Sequence, residues 1–331
     1  MPSLSTRKLK HLENLSNKNG IIAAAAMDQR GSLKKAIAKE KGVDPSQVTN
    51  TMMEEFKTAV TKVLSPHASA ILLDPEFGLP AAKQRAKNAG LLLAYESTGY
   101  EQNTPGRVPK LIPQWTVSKS IAEGADAIKI LLYYSPFEDK KVNEIKHAWV
   151  ERIGAECAFH DIPFFLEFVG YPTVEGEEEN SPAYAKKKPE IVRKSMEEFS
   201  KDNYQVDVLK VEIPVNMKFV KGARSFKGEA AYTEQEAKEL FKKTASATNK
   251  PFIYLSAGVS DDEFRESLEL AIQAKVNFNG VLCGRATWKE GIPVYAKSGV
   301  KALEQWLSDR GVQNIQALNK VLDQGAKPWK R

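Results

Sequence analysis

The sequence VDVLKVEI at positions 206–213 is one of eight short apolar runs that recur along the chain. The others span 21–27, 68–73, 91–95, 127–134, 163–169, 251–257 and 278–284. Each has the length and composition of a strand that is buried on both faces. Longer amphipathic stretches lie between most of them, including 142–160, 183–200, 233–248 and 261–274. Repeated strand-then-helix units predict a parallel α/β sheet, and eight of them predict a closed (β/α)8 TIM barrel.

Residues 7–15 and 312–322 are predicted to form extra N- and C-terminal helices outside the barrel. Residues 34–41 and 47–63 have the pattern of two helices within the first crossover. The run at 91–95 is the weakest strand prediction, because its flanks are rich in loop-forming residues. An open sheet with fewer strands is the alternative. One α/β barrel takes about 250 residues or more, so we expect a single barrel domain over 1–331.

Composition excludes several classes of protein. The 331 residues are 42% hydrophobic and 27% charged, which is the balance of a soluble globular protein. The formal charge of +6 is compatible with anionic substrates. The basic residues are scattered among acidic ones and form no run interleaved with aromatics, so no nucleic-acid partner is expected.

Two cysteines are too few for a disulfide framework. The N-terminal residues include no apolar signal segment, and the apolar run at 21–27 is far shorter than a membrane span. We therefore expect a cytoplasmic location and no membrane association. The sequence does not set the oligomeric state, and a homo-oligomer stays open.

Polar or ionisable residues stand at or near the ends of the predicted strands, where a barrel carries its chemistry. A buried charge costs several kcal/mol unless it is paired, so a set of them in register indicates a site. The set comprises Asp28, Asp74, Glu96, Lys129, Glu167, Lys210, Glu212, Ser256 and Arg285.

The alternation of side chains along a strand narrows this set. Lys210 and Glu212 share one face of their strand. If Lys210 points into the barrel, Glu212 does too. Together with Lys129 and Glu167, they would place two lysines and two glutamates in one barrel mouth. Each residue alone is more often a structural ion pair; the four together favour a reactive site.

This combination has a chemical meaning. Burial and a neighbouring cation lower the pKa of a lysine amine and make it a nucleophile. Such an amine can attack a ketone and form an iminium ion, which withdraws electrons from the adjacent C–C bond. A carboxyl group is needed to move the protons. The residues therefore point to Schiff-base chemistry.

The seventh and eighth predicted strands end in small residues, in Ser256-Ala257-Gly258 and Cys283-Gly284-Arg285. The loops after these two strands often hold a phosphate in barrels of this kind. Backbone N–H groups can approach the anion closely there, and an arginine offers a bidentate fork. Tight strand-to-helix turns would favour glycine for a purely structural reason.

No metal site or cofactor is expected. The four histidines, His11, His67, His147 and His160, lie away from the strand ends and have no metal-ligand spacing. Glycine-rich nucleotide-binding motifs are missing from the sequence. Cys283 is interpreted as a small buried residue.

Long blocks of the chain resemble the Schiff-base (class I) tagatose 1,6-bisphosphate aldolases. The blocks are AMDQRG at 26–31, LLDPEFGLP at 72–80, residues 90–100, DVLKVE at 207–212 and FNGVLCGRATW at 278–288. The resemblance covers nearly the whole chain. It implies a (β/α)8 barrel that cleaves D-tagatose 1,6-bisphosphate to dihydroxyacetone phosphate and D-glyceraldehyde 3-phosphate, in lactose and galactose catabolism. Fructose 1,6-bisphosphate is a plausible second substrate.

The resemblance also implies roles for individual residues. Lys210 would form the Schiff base, Glu167 would be the acid/base, and Lys129 would keep Lys210 partly neutral. Asp28 would hold sugar hydroxyls and assist cleavage. The phosphate next to the ketone would bind at Ser256, Gly258, Gly284 and Arg285. Glu212 has no family role, and its position on the strand indicates a structural partner for a lysine.

Three other interpretations stay open. One is a related class I aldolase that acts on a sulfonated or deoxy sugar phosphate. Another is a barrel that has kept the fold and binds a regulatory protein partner, which the intact set of Lys210, Glu167, Lys129 and Arg285 argues against. A metal-dependent aldolase is disfavoured by the positions of the histidines.

Overall fold

Eight parallel strands form a closed ring at the centre of the computed structural model, which describes residues 4–97 and 105–330. The described residues contain ten strands, eight of which form the ring: β1 (Ile22–Ala26), β2 (Ala70–Leu73), β3 (Gly90–Ala94), β4 (Ala127–Tyr133), β5 (Phe164–Val169), β6 (Val208–Glu212), β7 (Val220–Lys221), β8 (Tyr232–Thr233), β9 (Phe252–Leu255) and β10 (Gly280–Cys283). The order around the ring is β1-β10-β9-β6-β5-β4-β3-β2, and β7 and β8 pair separately outside it. The predicted barrel is confirmed, including its third strand.

Helices follow the strands as the sequence predicts. They are α1 (Thr6–Asn14), α2 (Gly31–Lys41), α3 (Asn50–Leu64), α4 (Leu79–Ala82), α5 (Val117–Ala122), α6 (Lys140–Phe159), α7 (Pro182–Phe199), α8 (Glu234–Ala245), α9 (Asp261–Gln273), α10 (Arg285–Trp288), α11 (Gly291–Trp306) and α12 (Val312–Gly325). Side-chain caps set several helix starts, such as the capping box of Thr233 and Glu236 on α8. The short helices α4, α5 and α10 and the longer α11 are not among the predicted helices, and α11 contains Gly291, Pro293 and Gly299.

Alternate residues of each strand point into the ring. Those that point inward include Ala24, Leu72, Phe165 and Leu282, and they pack into one buried cluster. Their neighbours point outward and pack against the helices in a larger cluster. Polar residues that continue the inward-facing alternation beyond the strands therefore lie in the carboxyl-terminal mouth of the barrel.

The opposite mouth of the barrel is closed by α1 and by the end of the chain. Leu12, Leu15 and Trp329 are buried against the inward cluster. Lys8 Nζ lies 2.7 Å from Asp207 Oδ2 and ties α1 to the residue before β6. The wide opening to solvent is therefore at the other end. Within 4–97 and 105–330, no helix is long and apolar enough to cross a membrane.

Candidate active site

All eight predicted site residues line one cavity of about 870 Å³ at the carboxyl ends of the strands. The eight are Asp28, Lys129, Glu167, Lys210, Ser256, Gly258, Gly284 and Arg285. They come from β1, β4, β5, β6, β9, β10 and the loops that follow. The structure therefore brings together these eight residues, whereas Asp74, which the sequence also placed at a strand end, lies outside the cavity.

The two lysines meet at one carboxylate oxygen. Lys210 Nζ and Lys129 Nζ each lie 2.8 Å from Glu167 Oε2. The parallel register places Glu167 directly beside Lys210 on the neighbouring strand. Lys129 is 1% exposed and Lys210 is 4% exposed. Glu167 is thus within hydrogen-bond reach of a buried amine, as an acid/base must be.

Lys129 is held by three carboxylates. Its Nζ lies 2.7 Å from Asp28 Oδ2, 2.8 Å from Glu167 Oε2 and 3.2 Å from Glu96 Oε1. Burial by itself lowers the pKa of Lys129, but these carboxylates outweigh burial and raise the pKa well above its usual value. The three carboxylates therefore favour the ammonium form of Lys129.

The pKa values of the three carboxyl groups around Lys129 are shifted in different directions. Burial by itself raises the pKa of Asp28 and of Glu167, but the charges of Lys129 and Lys210 outweigh it and hold both pKa values below their usual range. Burial raises the pKa of Glu96 above its usual value despite Lys129 and Arg30. The site therefore contains two firmly ionised carboxylates and one carboxyl that resists ionisation.

A third buried lysine, Lys57, supports the loop that carries Asp28. Lys57 of α3 is fully buried, and its Nζ donates to the carbonyl oxygens of Met27 at 2.6 Å and Gln29 at 2.8 Å. Its third bond goes to Asp74 Oδ2 at 2.5 Å. Asp74 thus binds beneath the loop and does not line the cavity, contrary to the expectation from its place after β2.

The loops after β9 and β10 face each other at one side of the mouth. Ala257 and Gly258 both have positive φ, +47° and +79°. A Cβ atom at Gly258 would lie 2.8 Å from Cζ of Arg285, so the guanidinium packs flat against the glycine. Arg285 is exposed toward the cavity. Together with the nearby backbone and Ser256, this geometry forms a cradle suited to an anion.

Further cationic side chains, which are not among the predicted site residues, line the cavity. Arg107 stands between the rings of Tyr133 and Tyr171, with Cζ at 4.8 Å and 4.7 Å from their centroids. Lys35 of α2 also reaches the cavity. Arg107 lies in the connection between β3 and β4, which stand opposite β9 and β10 in the ring. Positive charge therefore flanks the cavity on two sides.

Glu212 has a partner from outside the ring. Its Oε1 lies 3.0 Å from Lys188 Nζ of α7, and its Oε2 accepts a 2.7 Å hydrogen bond from the N–H of Gly170. The residue therefore joins the end of β5 to α7, as expected for a structural partner of a lysine. Cys283 is buried, as predicted, and burial raises the pKa of its thiol to about 12.

The model of the family described as "DeoC/LacD family aldolase" matches residues 22–290. Over 329 residues the chain is 51% identical to tagatose 1,6-diphosphate aldolase 2 of Enterococcus faecalis. The alignment covers 99% of this chain and 97% of that protein. The chain is 49% identical to tagatose 1,6-diphosphate aldolase of Listeria monocytogenes serotype 4a, with 99% and 95% covered. The Staphylococcus aureus enzyme of that name is 47% identical, with 99% of each chain covered.

Two solved structures share the fold. Fructose-bisphosphate aldolase from Plasmodium falciparum, solved with TRAP and an inhibitor, aligns with a TM-score of 0.66 at 13% identity. That alignment covers 98% of this chain and 97% of the other. A Schiff base forming fructose-1,6-bisphosphate aldolase aligns with a TM-score of 0.56 at 13% identity, over 94% and 98%.

Proposed function

Because the chain belongs to the DeoC/LacD family of aldolases, we propose that it cleaves D-tagatose 1,6-bisphosphate to dihydroxyacetone phosphate and D-glyceraldehyde 3-phosphate. The reaction passes through a Schiff base on Lys210. The observation that carries this proposal is the contact of two buried lysines with one oxygen of Glu167. We place the reaction in the cytoplasm, in the tagatose 6-phosphate route of lactose catabolism.

The cavity accommodates a sugar that carries a phosphate at each end. The phosphate on C1 binds at Ser256, Gly258, Gly284 and Arg285, which puts the C2 ketone beside Lys210 on the strand next to β9. The chain then extends across the mouth toward Lys35 and Arg107, which receive the phosphate on C6. A cavity of about 870 Å³ has room for this substrate.

Schiff-base formation uses the contact between Lys210 and Glu167. Glu167 Oε2, 2.8 Å from Nζ, first takes a proton from the ammonium group of Lys210, and the resulting amine attacks C2. A proton then moves from the nitrogen to the former ketone oxygen, which gives a carbinolamine. Glu167 returns its proton to the departing hydroxyl, which leaves as water. The product is a protonated imine at C2. Lys129 keeps its positive charge throughout and offsets the negative charge of Asp28 and Glu167.

Cleavage follows from the charge on the imine. The C4 hydroxyl loses its proton to a carboxylate, the C3–C4 bond breaks, and its electron pair moves into the imine to give an enamine. Glyceraldehyde 3-phosphate leaves with C4 as its aldehyde carbon. The enamine then takes a proton at C3, and water releases dihydroxyacetone phosphate from Lys210. Glu167 and Asp28 are the carboxylates within reach of these steps.

Borohydride trapping tests the proposal. Dihydroxyacetone phosphate and sodium borohydride are added to the wild-type protein and to Lys210→Met, and the adduct is mapped by peptide mass spectrometry. We expect one adduct, on Lys210, and none in the variant. Turnover is then compared for tagatose 1,6-bisphosphate, fructose 1,6-bisphosphate and a sulfosugar phosphate. An adduct on another lysine, or none, rejects the mechanism; preference for the sulfosugar rejects the substrate.

A further inference from the structure

Glu96 is a buried carboxyl at the cavity for which the mechanism above has no use. It follows β3 by two residues and continues the inward positions of Leu92 and Ala94. Its side chain is among those that line the cavity, and the residue is 2% exposed. A carboxyl group in such a place costs free energy unless its oxygens have partners.

The two oxygens of Glu96 differ in their surroundings. Oε1 lies 3.2 Å from Lys129 Nζ and 3.6 Å from Arg30 Nη2. Arg30 Nη2 also donates to the backbone carbonyl of Glu96 at 2.9 Å, which fixes the residue. Oε2 is buried and has no hydrogen-bond partner within 4–97 and 105–330. Both neighbouring cations thus contact Oε1, and Oε2 is left without a partner among the described residues.

Burial favours a proton on Glu96 and outweighs the opposing charges of Lys129 and Arg30. Asp28 and Glu167 bind Lys129 at shorter distances, and the charge of Asp28 adds to burial in raising the pKa of Glu96. Arg30 is shared with Glu76, whose Oε2 lies 2.6 Å from Nη1. The nearby carboxylate of Asp74 is paired with Lys57. When Glu96 carries its proton on Oε2, Oε1 still accepts from Lys129 and Oε2 becomes a donor.

The position of Glu96 selects one part of the substrate. The strand order puts β3 directly opposite β9, whose following loop belongs to the C1-phosphate cradle. A substrate held by that cradle and by Lys210 therefore directs the half beyond the cleaved bond toward Glu96. Within that half, the C4 hydroxyl must lose its proton and needs an acceptor, whereas the C5 hydroxyl keeps its proton and can accept from a donor.

We propose that Glu96 donates a hydrogen bond from Oε2 to the C5 hydroxyl of the substrate, which becomes the 2-hydroxyl of glyceraldehyde 3-phosphate. Glu96 thereby selects aldehydes that carry a hydroxyl next to the carbonyl carbon. This inference rests on the proposed aldolase activity. It gives the site a neutral donor beside the ionised carboxylates Asp28 and Glu167.

The test uses the condensation reaction, in which dihydroxyacetone phosphate is held constant and the aldehyde is varied. Glyceraldehyde 3-phosphate is compared with 3-phosphooxypropanal, which lacks only the 2-hydroxyl. The measured quantity is kcat/KM for glyceraldehyde 3-phosphate divided by kcat/KM for 3-phosphooxypropanal. This ratio is determined in the wild type, Glu96→Gln, Glu96→Leu and Glu156→Gln. Glu156 is the matched control: it bonds Tyr95 and the N–H of Val117 on the outer side of the same strand end.

We expect the leucine variant to lose about tenfold or more of this ratio, because a buried substrate hydroxyl is left without its donor. Glutamine has one acceptor and one donor group, like the protonated acid, so Glu96→Gln keeps the wild-type ratio. Glu156→Gln keeps it as well. Any effect of the leucine on Lys129 or on folding acts on both aldehydes and cancels in the ratio.

An equal loss for both aldehydes in Glu96→Leu, or no loss for either, overturns the inference. Should the leucine variant not fold, the ratio is measured against pH in the wild type and in Glu96→Gln. It must fall with rising pH in the wild type, as Glu96 loses its proton, and stay constant in Glu96→Gln; the same pH dependence in both contradicts the proposal. Wild-type protein that gives no borohydride adduct on Lys210 rejects the aldolase mechanism instead.

Discussion

Lys129 and Lys210 share a single oxygen atom, Glu167 Oε2, at 2.8 Å each. One carboxylate therefore links Lys210, the proposed Schiff-base residue, to a lysine whose pKa is raised well above its usual value. Removing a proton from Lys210 leaves Glu167 still paired with Lys129. The geometry thus allows Lys210 to become neutral without leaving a carboxylate alone in the barrel mouth, which would be costly.

Replacing Glu167 by glutamine removes the proton carrier and keeps the shape of the side chain. We expect kcat for sugar bisphosphate cleavage to fall by about 10² or more. Glu212→Gln is the matched control, because Glu212 lies two residues beyond Lys210 and is occupied by Gly170 and Lys188. An unchanged kcat in Glu167→Gln, with a loss in Glu212→Gln, would transfer the acid/base role to Glu212.

Arg285→Ala removes the guanidinium group from the proposed phosphate cradle. Because the proposed contact with the substrate phosphate is made before and during the reaction, we expect its loss to raise KM by about tenfold or more and to change kcat little. Steady-state kinetics measures both constants. Arg265→Ala, on α9 and paired with Asp261 outside the cavity, should leave both unchanged. A fall in kcat alone would show that Arg285 does not act in phosphate binding.

Gly258→Ala tests the packing of that arginine without removing it. The added Cβ would lie 2.8 Å from Cζ of Arg285, and the guanidinium must move away. We expect a raised KM together with a loss of stability of about 1–3 kcal/mol from the positive φ. Gly42→Ala has a similar φ of +66° and no atom within 4 Å of its new Cβ. The control should lose stability and keep its KM.

Lys57→Met leaves Asp74 and two backbone carbonyls buried without their donor. Removal of one partner of a buried ion pair costs about 3–5 kcal/mol, which urea unfolding measures. The double variant Lys57→Met/Asp74→Leu removes both charges and should recover part of this loss. A double variant less stable than Lys57→Met alone would mean that the pair is not the source of the effect.

The opposite pKa shifts of Glu167 and Glu96 predict opposite contributions to the pH dependence of folding stability. The lowered pKa of Glu167 stabilises the fold above about pH 4.3, the usual pKa of glutamate, and this contribution disappears as the pH falls. Glu167→Gln should therefore lose most stability near neutral pH. The raised pKa of Glu96 has the reverse sign, so Glu96→Gln gains stability relative to the wild type as the pH rises. Urea unfolding at a series of pH values checks both signs.

The sequence predicts the barrel and the grouping of the candidate site residues for one reason: strand alternation and barrel topology are regular. Once the strand at 206–213 is recognised, alternation places Lys210 in the barrel, and the other strands add Lys129 and Glu167 by the same rule. The two loops of the anion cradle are predicted in the same way, from their position after the seventh and eighth barrel strands, which are β9 and β10. None of these inferences needs side-chain detail.

What the sequence did not predict depends on contacts between distant segments. Lys57 is the exception that a pattern could have identified, since Met53, Lys57 and Val60 fall on one helical face and that face is buried. Asp74 follows a strand like the site residues, yet it turns under the loop to meet Lys57. Arg107 comes from an irregular connection, and only the folded chain places it between Tyr133 and Tyr171.

The pairing of β1 with β10 has a consequence for biosynthesis. Four residue pairs join these strands, from Ile22↔Gly280 to Ala25↔Cys283, and a Cβ at Gly280 would lie 2.0 Å from the carbonyl oxygen of Ile22. The first strand to leave the ribosome must therefore wait for the last one before its edge is covered. A nascent chain can bring Lys210 and Glu167 together early, but it acquires Gly284 and Arg285 only with the strand that completes the ring.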